Sequence, residues 1–445
     1  MQQLVSTRSP HASLINIYKT IYDLPPDVLR LIFTFLGIGY FRFVGGTSRI
    51  FRELYLSTSV VEADSTTTIE NVLSSVSCVE LYLHEAGTDV AQLRVILNGA
   101  ASYGRLNILA WAHHRGYLHA CSEETSTCAA KQGQLAALIW LNDHGCPVIS
   151  EACNNAAIHG HLNILQWLRA NGCPWDEYTC SYAAWGGHLN VLQWARANGC
   201  PWDTFTCSYA AEEGHLNILQ WARVKGCPWD ETTCSNAAWG GHLNVLQWLR
   251  ANGCPWDEDT CSNAAGLNTL QWLRANGCQW NERTCSRAAE YGDINILQWA
   301  RANGCPWDEE DMCSLAAKGG HLNIMQWLRA NRCPWHEDTC SSAAFGGHLN
   351  VLQWTRANGC PWDTFTCSYA AEEGHLNILQ WARANGCPWD ENTCSNAALG
   401  GHFNILQWAR ENGCPWDEKT CSSAAAGQHF DILRWARENG CPFDE

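Results

Sequence analysis

From about residue 100 onward, apolar positions recur in short arcs at helical spacing. In "HLNVLQWARANGCP" (188–201), Leu189, Val191, Leu192 and Ala195 share one broad side of a helix, with Trp194 at its edge. Asn190, Gln193 and Ala197 face away. Gly199 follows as a C-cap, and Pro201 prevents continuation. The stretch before it, "TCSYAAWGG" (179–187), predicts a shorter helix. Thr179 is its expected cap, Asp176 and Glu177 sit on the favourable side of its dipole, and Gly186 and Gly187 end it. Nothing alternates with period two, so no strands are expected. The predicted unit is helix, tight turn, helix, tight turn.

This unit repeats. One cysteine series runs Cys146, Cys173, Cys200, Cys227, Cys254, Cys278, Cys305, Cys333, Cys360, Cys387, Cys414 and Cys441, in steps of 27 residues except one of 24 and one of 28. A second runs Cys153, Cys180, Cys207, Cys234, Cys261, Cys285, Cys313, Cys340, Cys367, Cys394 and Cys421; Cys78, Cys121 and Cys128 lie outside both. A degenerate copy, "YGRLNILAWAHHRG", begins the array near residue 100, giving 13 second-helix segments from Leu106 to Gly440. The "WD" dipeptides do not signal a propeller, which needs longer, four-stranded units. One pair of short helices cannot bury so wide an arc. Stacked pairs can, as a solenoid with contacts between neighbours only. The Trp at the arc's edge is expected to reach the next repeat.

The stretch "AAWGGHLNVLQWARANGCPWD" resembles the ankyrin repeat pattern AAxxGHLEIVxxLLxxGADVN. Ala183 and Ala184 match its paired alanines, Gly187-His188-Leu189 its Gly-His-Leu, and Asn198-Gly199 its Asn-Gly. Cys200 falls where that family places a small buried alanine, and Cys180 where it places a buried leucine. Ankyrin units have about 33 residues, against 27 here. The shortfall lies between Asp203 and Thr206, where the family forms a β-hairpin finger. The resemblance therefore implies an all-α solenoid without fingers over 100–445. Its concave face would be built from first-helix ends and short turns.

Residues 24–55, "LPPDVLRLIFTFLGIGYFRFVGGTSRIFRELY", resemble an F-box: Leu24-Pro25, then Val28, Leu29, Ile32, Phe33 and Leu36 at helical spacing, then Val44, Ser48 and Phe51. The usual acidic residue near Tyr40 is missing. The resemblance implies a small helical module over 21–56 that docks on the Skp-type adaptor of a cullin ubiquitin ligase through Leu24, Pro25, Leu29, Ile32 and Phe33. The alternative is a helical cap over the first repeat. Residues 1–20 are expected to be a flexible N-terminus. Residues 57–99 are expected to be a helical linker or cap, with degenerate helices at "TTTIENVLSS" and "DVAQLRVILNGA". Chains joining these two modules with Trp- and Cys-rich repeats resemble proteins of giant viruses and microbial eukaryotes.

Composition narrows the partners. The net charge of −16 argues against nucleic acid, whose phosphates need a basic face, and against an anionic membrane surface. The N-terminal residues show no secretory pattern, and Leu31–Val44 is too short and too broken to span a bilayer. Twenty-six cysteines in that setting point to reduced thiols in the cytoplasm, or the nucleus. Zinc fits poorly, because Cys200 and Cys207 lie seven apart, whereas structural sites pair cysteines about two to four apart. The cysteines instead occupy small buried positions. His188 and its equivalents are expected to bond between adjacent turns; a catalytic histidine is needed once, not in every repeat. No nucleophile motif or phosphate loop stands out. The expectation is a monomer with no cofactor and no enzymatic activity.

Variation then marks the candidate surface. The "QW" tryptophans read as core. Trp185 and Trp239 stand at a first-helix end where other copies carry Glu212, Lys318, Phe345 or Leu399. A second slot holds Tyr182, Tyr209, Asn236, Arg287, Leu315, Ser342 and Tyr369; a third holds Tyr178, Phe205, Asp259, Arg283, Phe365, Asn392 and Lys419. Exposed aromatics and arginine are what protein recognition uses. The partner-binding set is therefore Tyr178, Tyr182, Trp185, Phe205, Tyr209, Glu212, Trp239, Arg283, Arg287, Phe345, Phe365 and Tyr369. Drift competes with this reading, because "CPWDTFTCSYAAEEGHLNILQWAR" stands unchanged at 200–223 and 360–383. The reading is a protein-binding receptor that recognises substrates for a cullin ligase; the alternative is a scaffold or decoy with no ubiquitin link.

Overall fold

The computed structural model describes residues 69–86 and 88–442. The expectations for residues 1–68, including the F-box-like segment and its five adaptor-facing residues, lie outside the described residues. Three helices open the described chain, Ile69–Val72, Val76–Ala86 and Val90–Ser102, with Leu73, Val79, Leu93, Ile96 and Leu97 buried. The remainder is repeated pairs of short helices, and no described residue is in a strand. Thirteen second helices run from Leu106–His114 to Phe430–Glu438. The chain forms two compact units that meet in sequence at Thr206 and Cys207. Within each, first helices pack on neighbouring first helices, and each second helix packs on its own partner.

The second helix follows its apolar arc. In Leu189–Ala197, Val191, Leu192 and Ala195 are buried, Leu189 is half-buried, and Asn190, Gln193 and Ala197 are exposed. Where ankyrin units carry a finger, the chain passes directly from turn to helix: Asp203 is followed at once by Thr204–Glu212. The shortened turn gives the "WD" aspartate a job. In Glu231–Trp239 the N-cap is Asp230, whose carboxylate accepts from Thr232 N at 3.1 Å, and Asp257, Asp390 and Asp417 act alike.

This corrects the expected cap at Thr179. The helix Glu177–Trp185 has Asp176 at the N-cap position, and Thr179 lies inside the helix, fully buried. Its hydroxyl donates to Asn154 Oδ1 at 2.7 Å, across to the previous first helix. Later repeats make the same seam with hydroxyl pairs: Ser208 to Thr233 at 3.2 Å and Ser235 to Thr260 at 3.1 Å. A buried hydroxyl needs a partner, so Thr and Ser flank the cysteine in "TCS" for register between repeats.

The "QW" tryptophans are half-buried rather than core. Most stand edge-on to the turn tryptophan of the preceding repeat, as in Trp175–Trp194 (5.8 Å between centroids) and Trp229–Trp248 (6.0 Å). The turn tryptophan also lies under an arginine: Arg169 is 4.1 Å from the Trp175 centroid, Arg223 3.7 Å from that of Trp229. The guanidinium donates to the cysteine carbonyl between them, as Arg329 does to Cys333 O at 2.6 Å. So the repeated basic residue is held inside its own turn.

Candidate binding surface

Two ladders keep the repeats in register beneath this surface. In one, the histidine opening a second helix lies over a glycine of the repeat before it. His161 Nε2 bonds Lys131 O at 3.1 Å, His321 bonds Glu290 O at 2.9 Å, and His375 bonds Phe345 O at 3.2 Å. The other is a row of thiol pairs. Cys153 and Cys173 Sγ stand 3.6 Å apart, and the second sulfur points at a backbone carbonyl, Ile149 O, at 3.3 Å. Cys121, outside both sequence series, pairs with Cys146. No described cysteine is in a disulfide, and those of both series are buried. In most pairs one thiol is held above its ordinary pKa, Cys153 by the bond to Cys173 and then by burial. Cys441 is pushed up to about 12, first by burial and then by Cys421. Among the described residues no group of three or more His, Cys, Asp or Glu is placed to hold a metal, and no helix is long and apolar enough to cross a membrane.

The first helices carry the variable side chains outward. On Glu177–Trp185, Tyr178, Tyr182 and Trp185 line one face, with successive ring centroids 6.1 Å apart. Tyr178 is 45% and Trp185 41% exposed. Phe345, Phe365 and Tyr369 form another cluster, each phenylalanine 5.8 Å from Tyr369. Phe205, Tyr209 and Glu212 sit on Thr204–Glu212. Phe205 is exposed, whereas Glu212 is half-buried and accepts from Asn236 Nδ2 at 3.2 Å. Arg283 is exposed and paired with Asp259 at 3.0 Å.

The remaining two, Trp239 and Arg287, come together at the array's one deep irregularity. The repeat from Cys254 to Cys278 is the 24-residue one: "AAGLN" replaces "AAWGGHLN". Its first helix is cut to Glu258–Ser262, and its second helix opens without a histidine. The next repeat has Asp293 in the histidine position, capping Ile294–Ala302 through Ile296 N at 2.9 Å. The covering histidine is thus absent in two successive repeats, while the thiol pairs continue. Ala264 and Ala265, whose equivalents Ala237 and Ala238 are fully buried, become accessible. Trp239 closes over the gap and meets Tyr291, from two first helices on, at 5.8 Å. Arg287 lies 5.1 Å from the Trp239 centroid and 5.4 Å from that of Tyr291. Together they bound a pocket of about 350 Å³ floored by Ser262, Asn263, Ala264, Ala265 and Thr284. Slot variation identified Trp239 and Arg287, but not Tyr291 or Asn263. The signal for these was the 24-residue step.

No family model matches the sequence, and no curated protein matches it. Among solved structures, the human ASB11 ankyrin repeat domain is 17% identical, with 41% of this chain and 98% of that chain covered, at a TM-score of 0.34. The maize pentatricopeptide repeat protein PPR10 is 13% identical, with 94% and 82% covered, at 0.30. Scores this low add nothing to the fold, which rests on the helix pairs themselves.

Proposed function

We propose that this chain is a protein-binding repeat scaffold without an active site of its own. One observation carries the reading: aromatic side chains stand exposed on first helices whose frame is otherwise the same in copy after copy. Tyr178, Trp185, Phe205, Trp239, Tyr291, Phe345 and Phe365 are each at least about a third exposed. Solvated aromatic clusters of this kind are what buries well in a protein interface. The net charge of −16 and the engagement of the repeated arginines within their turns favour a polypeptide over a polyphosphate partner.

The finer form of the proposal makes residues 21–56 the effector end, docking a Skp-type adaptor so that a target held by the repeats is presented for ubiquitination. It rests on the sequence resemblance at Leu24, Pro25, Leu29, Ile32 and Phe33. Affinity capture from cells separates the two levels. Tyr178→Ser with Trp185→Ser, helical by circular dichroism, should lose the target. Leu29→Asp with Ile32→Asp should keep the target and lose adaptor and cullin. A wild type that captures target but never adaptor removes the ligase half. Capture unaffected by changing the exposed aromatics removes the scaffold reading for this surface.

A further inference from the structure

The pocket at the short repeat lies where the row of first-helix acids is interrupted; the one carboxylate in its lining, Asp293, is engaged as the cap of the next helix, accepting from Ile296 N at 2.9 Å. At four places along this face a donor of one first helix is matched by an acid of the one before. Two residues after the first-helix cysteine, Asn236 donates to Glu212 Oε2 at 3.2 Å and Asn396 to Glu372 Oε2 at 2.9 Å. Arg283 meets Asp259 at 3.0 Å, and Lys318 meets Glu290 at 3.0 Å. Asn263 and Arg287 occupy the position of Asn236 in the next two repeats. The slot that should serve Asn263 with an acid holds Trp239. The slot that should serve Arg287 was lost with the three missing residues. Neither side chain has a hydrogen-bond or ion-pair partner among the described residues; the Arg287 guanidinium lies beside the two rings.

A guanidinium and an amide at one small pocket, both lacking the acid that their counterparts have, are a carboxylate receptor. The bared Ala264 and Ala265, with Trp239 and Tyr291, supply apolar surface beside it for a short stem. We propose that this pocket binds a carboxylate of a partner's peptide segment, whether an aspartate or glutamate side chain or a free C-terminus. The charge is held by Arg287 and Asn263 and the stem lies against Trp239 and Tyr291. This deepens the protein-binding reading and rests on it.

The test is selection of short random peptides on the full chain, followed by affinity measurement with synthetic winners. Selected peptides should be rich in Asp, Glu or free C-termini. Replacing the critical carboxylate by carboxamide should weaken binding about tenfold, the worth of one charge-assisted hydrogen-bonded pair. Arg287→Leu should remove the preference for the acid, and Arg287→Lys should keep part of it; the carboxamide arm needs no altered protein and so is independent of folding. Peptides without acid enrichment, or peptides that bind Arg287→Leu equally well, overturn the pocket while leaving the scaffold reading intact. Recovery of no peptide, together with capture of no protein from cells, overturns both.

Discussion

Gly347 and Gly241 occupy the same place in their repeats, seven residues after Cys340 and Cys234, with φ of +80° and +74°. Only the neighbour differs. A Cβ at Gly347 would stand 2.8 Å from His375 Cε1 and 2.9 Å from its Nε2; one at Gly241 would meet only Ala265 Cβ, at an ordinary 3.5 Å. Alanine at either carries about 1–2 kcal/mol of left-handed backbone strain, offset by about 0.4–1 kcal/mol from a stiffer unfolded chain. Gly241→Ala should therefore cost about 1 kcal/mol. At Gly347 the imidazole must also move, breaking its 3.2 Å bond to Phe345 O. A net hydrogen bond is worth about 1 kcal/mol, and a carbonyl left unpaired costs up to about as much again. Gly347→Ala should therefore cost about 2–3 kcal/mol. Repeat arrays need not unfold in one step, so the readout is amide exchange in Leu376–Ala384 and in Leu267–Ala275, the second helices one repeat beyond each glycine. Gly347→Ala combined with His375→Ala should be less than additive. Equal costs at the two glycines, or full additivity, would refute the ladder as a source of stability.

Stability should fall as pH rises above about 8.5. The unfolded chain releases thiol protons near there while buried thiols such as Cys441, pushed up to about 12, retain theirs. Each such thiol tilts stability by about 1.4 kcal/mol per pH unit, readable as Tm against pH. Arg383→Leu removes a guanidinium 4.0 Å from the Trp389 centroid and its bond to Cys387 O; a loss of about 1–2 kcal/mol is expected in urea unfolding. Inserting Trp-Gly before Gly266 and His after it completes the short repeat. Exchange protection in Leu267–Ala275 should rise, and any acidic-peptide binding should vanish.

The period, both helices of the unit and the absence of strands were legible because each rests on local pattern: the arc Val191, Leu192, Ala195, the Gly-Cys-Pro stop, the length deficit after Asp203. What was misread depended on neighbours. Thr179 and Asp176 both have capping chemistry, and only the packing of one first helix on the next shows that the threonine is needed in the seam with Asn154. The "QW" tryptophans look like core in a single helix, but a turn tryptophan from the preceding repeat meets them at the boundary and leaves them half-buried. The step of 24 residues was visible, yet its meaning was not. A deletion says which residues are lost, not which ones their loss brings together, and Trp239 and Tyr291 are 52 positions apart.

The two identical blocks at 200–223 and 360–383 show how far local sequence determines a site here. Each is followed by the same "SNAA" stretch, and each ends with the same bond: Glu212 to Asn236 at 3.2 Å, Glu372 to Asn396 at 2.9 Å. Both carboxyls are raised above the usual range by burial, and next by Glu213 and Glu373. Same block and same follower give the same environment, as nearest-neighbour coupling requires. The corollary concerns Trp185 and Trp239, which end helices of the same kind with similar exposure, 41% and 45%. Trp185 lies against Tyr182 of its own helix, whereas Trp239 reaches Tyr291 because the repeat between them is short. An aromatic in the slot therefore does not make the pocket. Changing the follower does, and three missing residues turn one position of a uniform array into a place where a partner's acid can complete the row.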